Sequence, residues 1–355
     1  MEEQKEENYR AEDSQKTKHT DPVEKVLGTE KEELEFQSRL DLGELSQNVQ
    51  KIREEIGKVI VGQNEMIDKL IASLLAGGHS LIEGVPGIAK TVTAKLLSKT
   101  LSVGFNRIQF TPDLMPSDIL GTSVFNLKTT EFEFKKGPIF SNMILIDEIN
   151  RAPAKTQAAL FEVMEERQIT MDGIRYDMSP PFMVLATQNP VEQEGTYRLP
   201  EAQLDRFLFK ITVDYPQLAD EIEILKREHE LKNTVKTETV TSFLSAEQIA
   251  NYQHLVSQVF IEAHLLAYIA QIIVATRNNQ YLYLGASPRA SIAILKASKA
   301  FAAMNGRDFV TPEDIKRAAI PVLHHRVIVT PEREMEGLTS ADIIKQIIEM
   351  TEIPR

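Results

Sequence analysis

Two glycines, a lysine and a threonine occur within one short segment, in an order that suits phosphate binding. The segment follows an apolar run and reads Gly84-Val85-Pro86-Gly87-Ile88-Ala89-Lys90-Thr91. The backbone N–H groups of such a loop, with the N-terminus of a following helix, can bind polyphosphate oxygens. Lys90 can neutralise the β- and γ-phosphates, and the hydroxyl of Thr91 can ligate Mg²⁺. Ala89 stands where the general pattern has its last glycine, and the segment alone is also compatible with a Gly-Pro turn that caps a helix.

Two adjacent carboxylates, Asp147 and Glu148, end a second apolar run that begins at Met143. In nucleotide-hydrolysing proteins with a phosphate-binding loop, an acid at the end of a strand holds Mg²⁺. We therefore expect Asp147 to bind the metal through water and Glu148 to accept a proton from the attacking water molecule. The alternative is a solvated acidic turn, which the matching loop upstream disfavours.

Two further polar residues adjoin apolar runs. Asn189 ends the stretch that starts at Leu185, where an amide can orient the lytic water or sense the γ-phosphate. An ordinary Asn-Pro turn is the alternative. Arg206 lies just ahead of the last predicted strand of the sheet, where an arginine can reach the nucleotide of a neighbouring subunit. A surface pair between Asp205 and Arg206 is the competing interpretation.

A further arginine begins a helix in the C-terminal part of the chain. Ser287 is expected to cap this helix and Pro288 to occupy its first position. Arg289 then lies in the first turn, where it can face a phosphate site, although a solvated arginine on an exposed turn is the alternative. The pair His324 and His325 lacks spaced carboxylate or sulfur partners, so we expect no metal site there.

Short apolar runs and amphipathic segments alternate along the first part of the chain. A helix is predicted from about Asp41, where apolar residues recur at helical spacing, and further helices are predicted over residues 89–101 and 154–166. Strands are predicted over residues 80–84, 105–110, 143–146, 182–187 and 207–213. This alternation predicts an α/β fold with a parallel, doubly wound sheet.

Two segments interrupt the alternation and are typical of β-hairpins, residues 122–135 and residues 168–178, the second with Asp172-Gly173 at its turn. We expect both to project from the sheet as inserts. After Pro216 the pattern predicts helices over residues 218–231, 246–260, 264–277, 287–304 and 312–324. The expected organisation is a disordered acidic leader over 1–40, an α/β core over 41–215 and an all-α lid domain over 216–355.

Composition narrows the function classes. The chain has 355 residues, a formal charge of −12 and no cysteine. The charge argues against a whole-molecule nucleic-acid footprint, and the lack of cysteine excludes disulfides, a thiol nucleophile and cysteine metal clusters. Residues 1–40 carry 12 acidic and 7 basic residues with scattered apolar positions, which predicts the disordered leader. With no apolar run of about 18 residues and no recognisable signal peptide, we expect a cytoplasmic protein without direct membrane insertion.

Taken in this order, the five chemical elements resemble those of an AAA+ ATPase. More narrowly, they look like the MoxR family in four segments: residues 84–91 (GVPGIAKT), 110–118 (FTPDLMPSD), 146–153 (IDEINRAP) and 199–207 (LPEAQLDRF). Residues 285–290 (GASPRA) are similar to the sensor 2 segment of that family. The match covers roughly Leu45 to the C-terminus, and alanine at position 89 matches a variant familiar in the family.

The resemblance implies an ATP-hydrolysing ring, expected to be a homo-hexamer, that uses ATP and Mg²⁺. It implies that the loop residues, Asp147, Glu148 and Asn189 act within one subunit, whereas Arg206 completes the site of a neighbour. Arg289 would be the sensor 2 arginine, and the resemblance leaves open whether it acts on its own nucleotide or on the next subunit's. The segment Val61-Gly62-Gln63 matches the one that lies beside the adenine, and the hairpins match the helix-2 insert and the pre-sensor-1 insert.

The resemblance also implies protein partners. MoxR-like ATPases commonly work with proteins that carry a von Willebrand factor A domain, and they remodel or activate clients, so a chaperone-like remodeller with an unknown client is the leading hypothesis. The alternatives are a slow-hydrolysing, nucleotide-controlled scaffold, a magnesium-chelatase-like protein and a motor on nucleic acid. The hairpins mix acidic with basic residues and form no basic stripe with interleaved aromatics, so no nucleic acid is expected. We expect Phe125, Phe132 and Phe134 to pack within their own hairpin.

Overall fold

The computed structural model describes residues 40–189, 197, 199–230 and 240–354, which belong to one compact unit. The predicted leader lies outside the described residues except for Leu40. Through the end of the central sheet the elements are α1 (Gly43–Gly57), α2 (Asn64–Leu75), β1 (Ser80–Gly84), α3 (Lys90–Thr100), β2 (Leu101–Ser102), β3 (Phe105–Gln109), α4 (Pro116–Leu120), β4 (Gly121–Asn126), β5 (Glu131–Lys136), β6 (Met143–Asp147), a 3-10 turn (Ile149–Arg151), α5 (Ala154–Glu166), β7 (Gln168–Met171), β8 (Ile174–Asp177), β9 (Met183–Gln188), α6 (Glu201–Leu204) and β10 (Phe209–Val213).

The remaining elements are mostly helical, as the sequence predicts for this part of the chain. They are α7 (Leu218–Glu230), β11 (Leu244–Ser245), α8 (Ala246–Gln258), α9 (Ala263–Arg277), β12 (Leu282–Leu284), α10 (Pro288–Met304), α11 (Pro312–Leu323), β13 (Ile328–Val329), α12 (Pro331–Met335) and α13 (Ser340–Met350).

The central sheet brings the ends of distant chain segments to one edge. Its five strands are parallel and lie in the order β10, β1, β9, β6, β3. Alternate residues of each strand face opposite sides, so that Ile82 and Leu145 join a cluster with α1, α2 and α3, whereas Leu81 and Ile144 join a cluster with α5. Burial on both faces explains the continuous apolar runs. The predicted parallel, doubly wound sheet is confirmed.

Helix α2 is a part of the fold for which the sequence analysis predicts no element. Eight of its twelve residues are buried, including Met66, Leu70 and Leu74. Its apolar residues recur at helical spacing opposite Glu65, Asp68 and Lys69, so the segment does carry the pattern of an amphipathic helix, and the sequence analysis overlooks it. It packs against α10 and β10 and so lies between the sheet and the C-terminal helices.

The two predicted hairpins are confirmed, and both are antiparallel pairs outside the central sheet. Asp172 and Gly173 have φ angles of 52° and 79°, the left-handed pair that a tight two-residue turn requires. In the first hairpin Phe134 packs against Phe140 and Tyr176, outside its own hairpin.

The other two phenylalanines of the first hairpin fulfil the packing prediction only in part. Phe125 and Phe132 are register partners with ring centroids 5.2 Å apart, yet they remain 42% and 72% exposed. Leu127, at the adjoining turn, is 87% exposed. The end of this hairpin is therefore an exposed apolar surface, which we call the hairpin tip (Phe125, Leu127 and Phe132).

The C-terminal helices pack around α10, which contacts α9 and α11 and also α1 and α2. Its buried face is rich in alanine, which allows neighbouring helices to approach closely. Ser287 occupies the N-cap position and Pro288 begins the helix, as predicted, but the side chain of Ser287 makes no capping hydrogen bond. The domain also contains one short antiparallel pair, β12 with β13, between the helices.

The sheet and the C-terminal helices share one hydrophobic cluster. Phe209 on β10 stacks against Phe301 on α10 with centroids 6.0 Å apart, and neither side chain is exposed.

The helices of the described residues do not combine the length and apolar character that a membrane crossing demands.

Candidate functional site

The predicted phosphate-binding loop joins β1 to α3, because β1 ends at Gly84 and α3 begins at Lys90. A side chain at position 84 would meet the carbonyl oxygen of Val213 at 2.7 Å, which explains the need for glycine there. Gly87 and Ala89 have φ angles of 89° and 63°, both left-handed. The loop therefore turns sharply into the helix, and Ala89 adopts a backbone conformation that favours glycine.

Lys90 is anchored by carbonyl oxygens at the ends of two neighbouring strands. Its Nζ donates to the carbonyl of Gly84 and, at 3.3 Å each, to those of Val85 and Gln188. Burial lowers the pKa of Lys90, and the carboxylates of Glu148, Glu83 and Asp147 act in the opposite direction. The ammonium group is thereby held between the loop and the end of β9.

Asp147 accepts hydrogen bonds from three side chains and is only 3% exposed. The hydroxyls of Thr91 and Thr187 donate to its Oδ1 at 2.9 and 3.1 Å, and Nε of Arg107 lies 2.5 Å from its Oδ2. A threonine hydroxyl and a carboxylate are hard oxygen donors of the kind that Mg²⁺ prefers. The two residues predicted to hold the metal are in direct contact.

Glu148 has a left-handed backbone, with a φ of 57°, which is uncommon for a non-glycine residue. Its N–H donates to the hydroxyl of Thr187 at 3.1 Å, which holds this conformation in place. Its Oε2 accepts from Nε2 of Gln109 at 3.1 Å and pairs with Nε of Arg151 at 2.9 Å. Strained residues of this type cluster at functional sites.

These groups line one cavity of about 330 Å³, which we call the phosphate cavity. Asn189 lies at the end of β9, as predicted, and also lines it. The predicted residues brought together here are Pro86, Gly87, Ala89, Lys90, Thr91, Asp147, Glu148 and Asn189. Ile88 is instead buried beneath the loop, and Gly84 and Val85 contribute the carbonyls that hold Lys90.

The phosphate cavity fits a magnesium–nucleotide polyphosphate in its chemistry. Helix α3 begins without a side-chain cap, so no side-chain oxygen competes with phosphate for the N–H groups of its first turn. Within the described ranges no three acidic, histidine or cysteine residues form a metal-binding cluster. Mg²⁺ in proteins is usually held by one or two protein ligands together with substrate phosphates and water, and Thr91 and Asp147 would be those ligands here.

The segment predicted to lie beside the adenine is placed at a second cavity. Gly62 and Gln63 line this space of about 490 Å³ together with residues 212–217, and half-buried Val61 does not line it. Gly62 has a φ of 75° and lies against the carboxylate of Asp220. The second cavity adjoins the loop, because Val213 is the register partner of Gly84.

Arg206 and Arg289 meet at a third place, around Glu165 of α5. Glu165 pairs with Arg206 through Oε2 and with Nη2 of Arg289 through Oε1, the latter at 2.8 Å. Nη1 of Arg289 also lies 3.9 Å from Asp205, whose closer partner is Arg326 at 2.6 Å. In place of the competing interpretation, a pair between Asp205 and Arg206, the structure pairs Arg206 with Glu165 and Asp205 with Arg326.

This arginine cluster (Glu165, Asp205, Arg206, Arg289 and Arg326) borders a cavity of about 260 Å³. None of the residues that line it lines the phosphate cavity. Within the described residues, Nε of Arg206 is buried without a hydrogen-bond partner. The two predicted arginines therefore share one location, which is separate from the loop of their own chain.

Sequence reasoning misses five residues that contact the predicted ones. Arg107, Gln109, Arg151 and Thr187 surround the two acids, and Glu165 likewise joins the two arginines. For Gln109 a signal exists, since it ends a strand and neighbouring parallel strands end at the same edge. Arg107 and Glu165 carry no comparable signal, because their partners depend on the strand order and on how the lid packs.

Comparison with known proteins agrees with this geometry. The family model described as "ATPase family associated with various cellular activities (AAA)" matches residues 79–209, and the AAA lid domain model matches residues 274–347. A crystal structure from Cytophaga hutchinsonii, described as a candidate ATPase, is 44% identical and superposes with a TM-score of 0.80 over 87% of this chain and 96% of its own.

Relatives cover nearly the whole described chain. The protein YeaC of Bacillus subtilis, named as uncharacterised, is 44% identical over 86% of this chain and 94% of its own length. Chaperone MoxR1 of Mycobacterium tuberculosis is 39% identical over 85% of this chain and 81% of its own. Protein MoxR of Methylorubrum extorquens is 28% identical over 86% and 94%, respectively. The chain belongs to the MoxR family of AAA+ ATPases.

Proposed function

We propose that this protein hydrolyses ATP in a Mg²⁺-dependent reaction, with an α/β core over residues 41–215 and a helical lid over 216–355. The observation that carries the proposal is the phosphate cavity, in which Lys90, Thr91, Asp147 and Glu148 lie together at the edge of the sheet. The adenosine end of the nucleotide is assigned to the second cavity, beside Gly62 and Gln63.

Each residue of the phosphate cavity has a role that follows from its position. The loop N–H groups bind phosphate oxygens, and Lys90 exchanges its carbonyl partners for the β- and γ-phosphates. Thr91 and Asp147 hold Mg²⁺, which when bound neutralises charge that develops on the phosphates. Glu148 accepts the proton of the attacking water, and Asn189 orients that water.

We assign both arginines of the arginine cluster to the nucleotide of a neighbouring subunit. Arg206 and Arg289 line a cavity that has no residue in common with the phosphate cavity of their own chain, which supports action in trans. Such a site is complete only when two copies meet head to tail, and repetition of that contact closes a ring. A homo-hexamer is the ring that we propose.

We further propose that the ring remodels or activates a client protein, together with a partner that carries a von Willebrand factor A domain. The name of the Mycobacterium tuberculosis relative, a chaperone, supports this class of activity. The exposed hairpin tip supports contact with a protein, because Phe132 and Leu127 are 72% and 87% exposed.

The decisive experiment compares wild-type protein with Glu148→Gln. We expect the variant to lose at least about a hundredfold in ATP turnover, because it lacks the base, and to keep its affinity for ATP. Lys90→Ala is the control that loses affinity as well. Equal turnover in wild-type protein and Glu148→Gln contradicts the proposal. Capture of a protein on Glu148→Gln with ATP, and not with ADP, identifies the client.

A further inference from the structure

The segment that carries Arg206, residues 205–208, is hydrogen-bonded by a residue of the lid, Arg326. Residues 205–208 lead from Arg206 into β10, and Arg326, which follows α11 in the lid, bonds to three of these four residues. Nε of Arg326 donates to Oδ1 of Asp205 at 2.6 Å. Nη2 donates to the carbonyls of Asp205 and Phe207 at 3.0 and 2.6 Å, and Nη1 donates to that of Leu208 at 3.2 Å. The side chain is only 4% exposed.

The two histidines before Arg326 extend the same contact. Nε2 of His325 lies 3.1 Å from the carbonyl of Phe207, and Nε2 of His324 lies 2.7 Å from that of Lys210. Three consecutive lid residues therefore hydrogen-bond to the backbone around the start of β10. This gives the His324-His325 motif a structural role that the sequence alone does not indicate.

Arg326 is also connected to Arg289 and Arg206 through shared carboxylates. Asp205 lies between Arg326 at 2.6 Å and Arg289 at 3.9 Å. Glu165 lies between Arg289 and Arg206. The arginine cluster is thus a chain of alternating charges that begins at Arg326. Asp205 is the second carboxylate near Arg289, after Glu165 at 2.8 Å, and it is also the residue next to Arg206, so a displacement of Asp205 affects both arginines.

Stability alone is a poor explanation for Arg326. A buried charge is expensive to desolvate, and apolar residues of similar size stabilise a fold at least as well. Apolar contact already joins lid and sheet at Phe209 and Phe301. A planar guanidinium adds geometric specificity, because its donors have fixed directions and hold a carboxylate and several carbonyls in one arrangement.

We propose that Arg326 is a positioning residue for ATP hydrolysis, which holds segment 205–208 and Asp205 so that Arg206 and Arg289 fit the nucleotide of the neighbouring subunit. The inference rests on the proposed function, in which these two arginines act in trans. In this inference Arg326 belongs to the subunit that supplies Arg206 and Arg289. Substitution of Arg326 is therefore expected to leave the phosphate cavity of that same subunit intact.

The test uses mixtures of full-length variants. Arg326→Gln alone is expected to lower kcat by roughly 10- to 100-fold and to change KM for ATP by less than about twofold, because misplaced arginines affect the transition state more than binding. The phosphate-binding loop of Arg326→Gln is intact, so a neighbouring subunit with correctly placed Arg206 and Arg289 is expected to restore ATP hydrolysis at that loop. Mixed 1:1 with Lys90→Ala, Arg326→Gln is expected to recover about a quarter of the wild-type rate, since random mixing pairs an intact loop with intact arginines at about one interface in four.

Arg317→Gln is the matched control. Arg317 lies on α11, bonds to Asp68 of α2 at 2.6 Å and lies over the ring of Phe301, and these partners are outside the arginine cluster. It is expected to change the midpoint of urea unfolding without lowering kcat. An equal loss of kcat in both variants, or no recovery of Arg326→Gln in the mixture, overturns the inference.

A second mixture separates this inference from the proposed function. Arg206→Ala with Lys90→Ala is expected to recover about the same quarter of the rate. Failure of that mixture overturns action in trans and the inference with it, whereas its success beside failure of the Arg326→Gln mixture overturns the inference alone. If Arg326→Gln is not obtained as folded protein, Asp205→Asn, which keeps the bonds of Arg326 to the backbone, decides the matter in the same mixture.

Discussion

Arg107 and Asp147 form an ion pair at 2.5 Å, although 40 residues separate them in the chain. The contact arises because β3 and β6 are neighbours in the sheet and Gln109 is the register partner of Asp147. The side chain of Arg107 is 56% exposed, so it is free to turn toward solvent, whereas that of Asp147 is 5% exposed. An exposed cation therefore holds an oxygen of the buried carboxylate that we assign to Mg²⁺.

Removing this cation is expected to ease metal binding. Because Arg107 and Mg²⁺ compete for Asp147, Arg107→Gln should lower the Mg²⁺ concentration for half-maximal ATP turnover by about threefold, the effect of an exposed ion pair worth roughly 0.6 kcal/mol. A Mg²⁺ titration at fixed ATP measures it. Arg107→Lys, which keeps the charge, is the control. A higher Mg²⁺ requirement in Arg107→Gln contradicts the competition.

The left-handed backbone at Ala89 predicts an unusual response to glycine. A left-handed alanine costs roughly 1–2 kcal/mol, and the greater freedom of glycine in the unfolded chain offsets about 0.4–1 kcal/mol of the gain from relieving it. Ala89→Gly should therefore raise the free energy of unfolding by about 0.5 kcal/mol, as measured in urea. Ala89→Val should lower it, because a β-branched side chain tolerates this φ poorly. Destabilisation by glycine would show that the methyl group contributes packing instead.

Buried histidine predicts a loss of stability in mild acid. Burial lowers the pKa of His79 from 6.5 to about 4, and its Nδ1 accepts from the N–H of Val184 at 2.9 Å, which requires the neutral form. The unfolded chain therefore binds the proton first, so stability present above pH 6.5 is lost as the pH falls toward 4. Between pH 7 and 5.5 the loss for this residue is about 1 kcal/mol.

Urea unfolding at the two pH values tests this loss. His79→Asn is expected to be less stable at pH 7 and to show a smaller change with pH than wild-type protein. His254→Asn, which removes an exposed imidazole instead of a buried one, is the control. The wild-type slope in His79→Asn would assign the acid sensitivity to other groups.

The position of Arg289 predicts on which nucleotide it acts. Since it shares Glu165 with Arg206, Arg289→Ala should reduce kcat with little change in ATP affinity, and mixing with Lys90→Ala should restore activity. Single-turnover hydrolysis and binding of a non-hydrolysed analogue provide the two measurements. If Arg289 acted on the nucleotide of its own subunit, the mixture of Arg289→Ala with Lys90→Ala would stay inactive.

Sequence predicts the parts of the site that are local in the chain. The loop from Gly84 to Thr91 is recognisable because a strand, a glycine-containing turn and a helix follow one another, and Asp147 is recognisable because it ends an apolar run. The structure places both at one edge of the sheet, in contact through the hydroxyl of Thr91. The α/β pattern predicts that both lie at this edge, because parallel strands end on the same side, whereas the strand order that brings them into contact does not follow from it.

The remaining parts depend on register and on docking. Arg107 meets Asp147 only because β3 pairs with β6 in one particular register. Arg206 and Arg289 meet only because α10 begins beside the end of α5, where Glu165 lies. Neither relation leaves a periodic or compositional trace, so pattern analysis identifies the residues as candidates without identifying their partners.

The stacked rings of Phe209 and Phe301 have a mechanical consequence. Separating them would expose apolar surface at about 25 cal/mol per Å², so the junction between sheet and lid resists bending. We therefore expect a shift at the edge that faces the nucleotide to move the sheet and the lid together. In the ring that we propose, each subunit is then expected to move as one rigid body, and the relative motion is expected at the contacts between subunits.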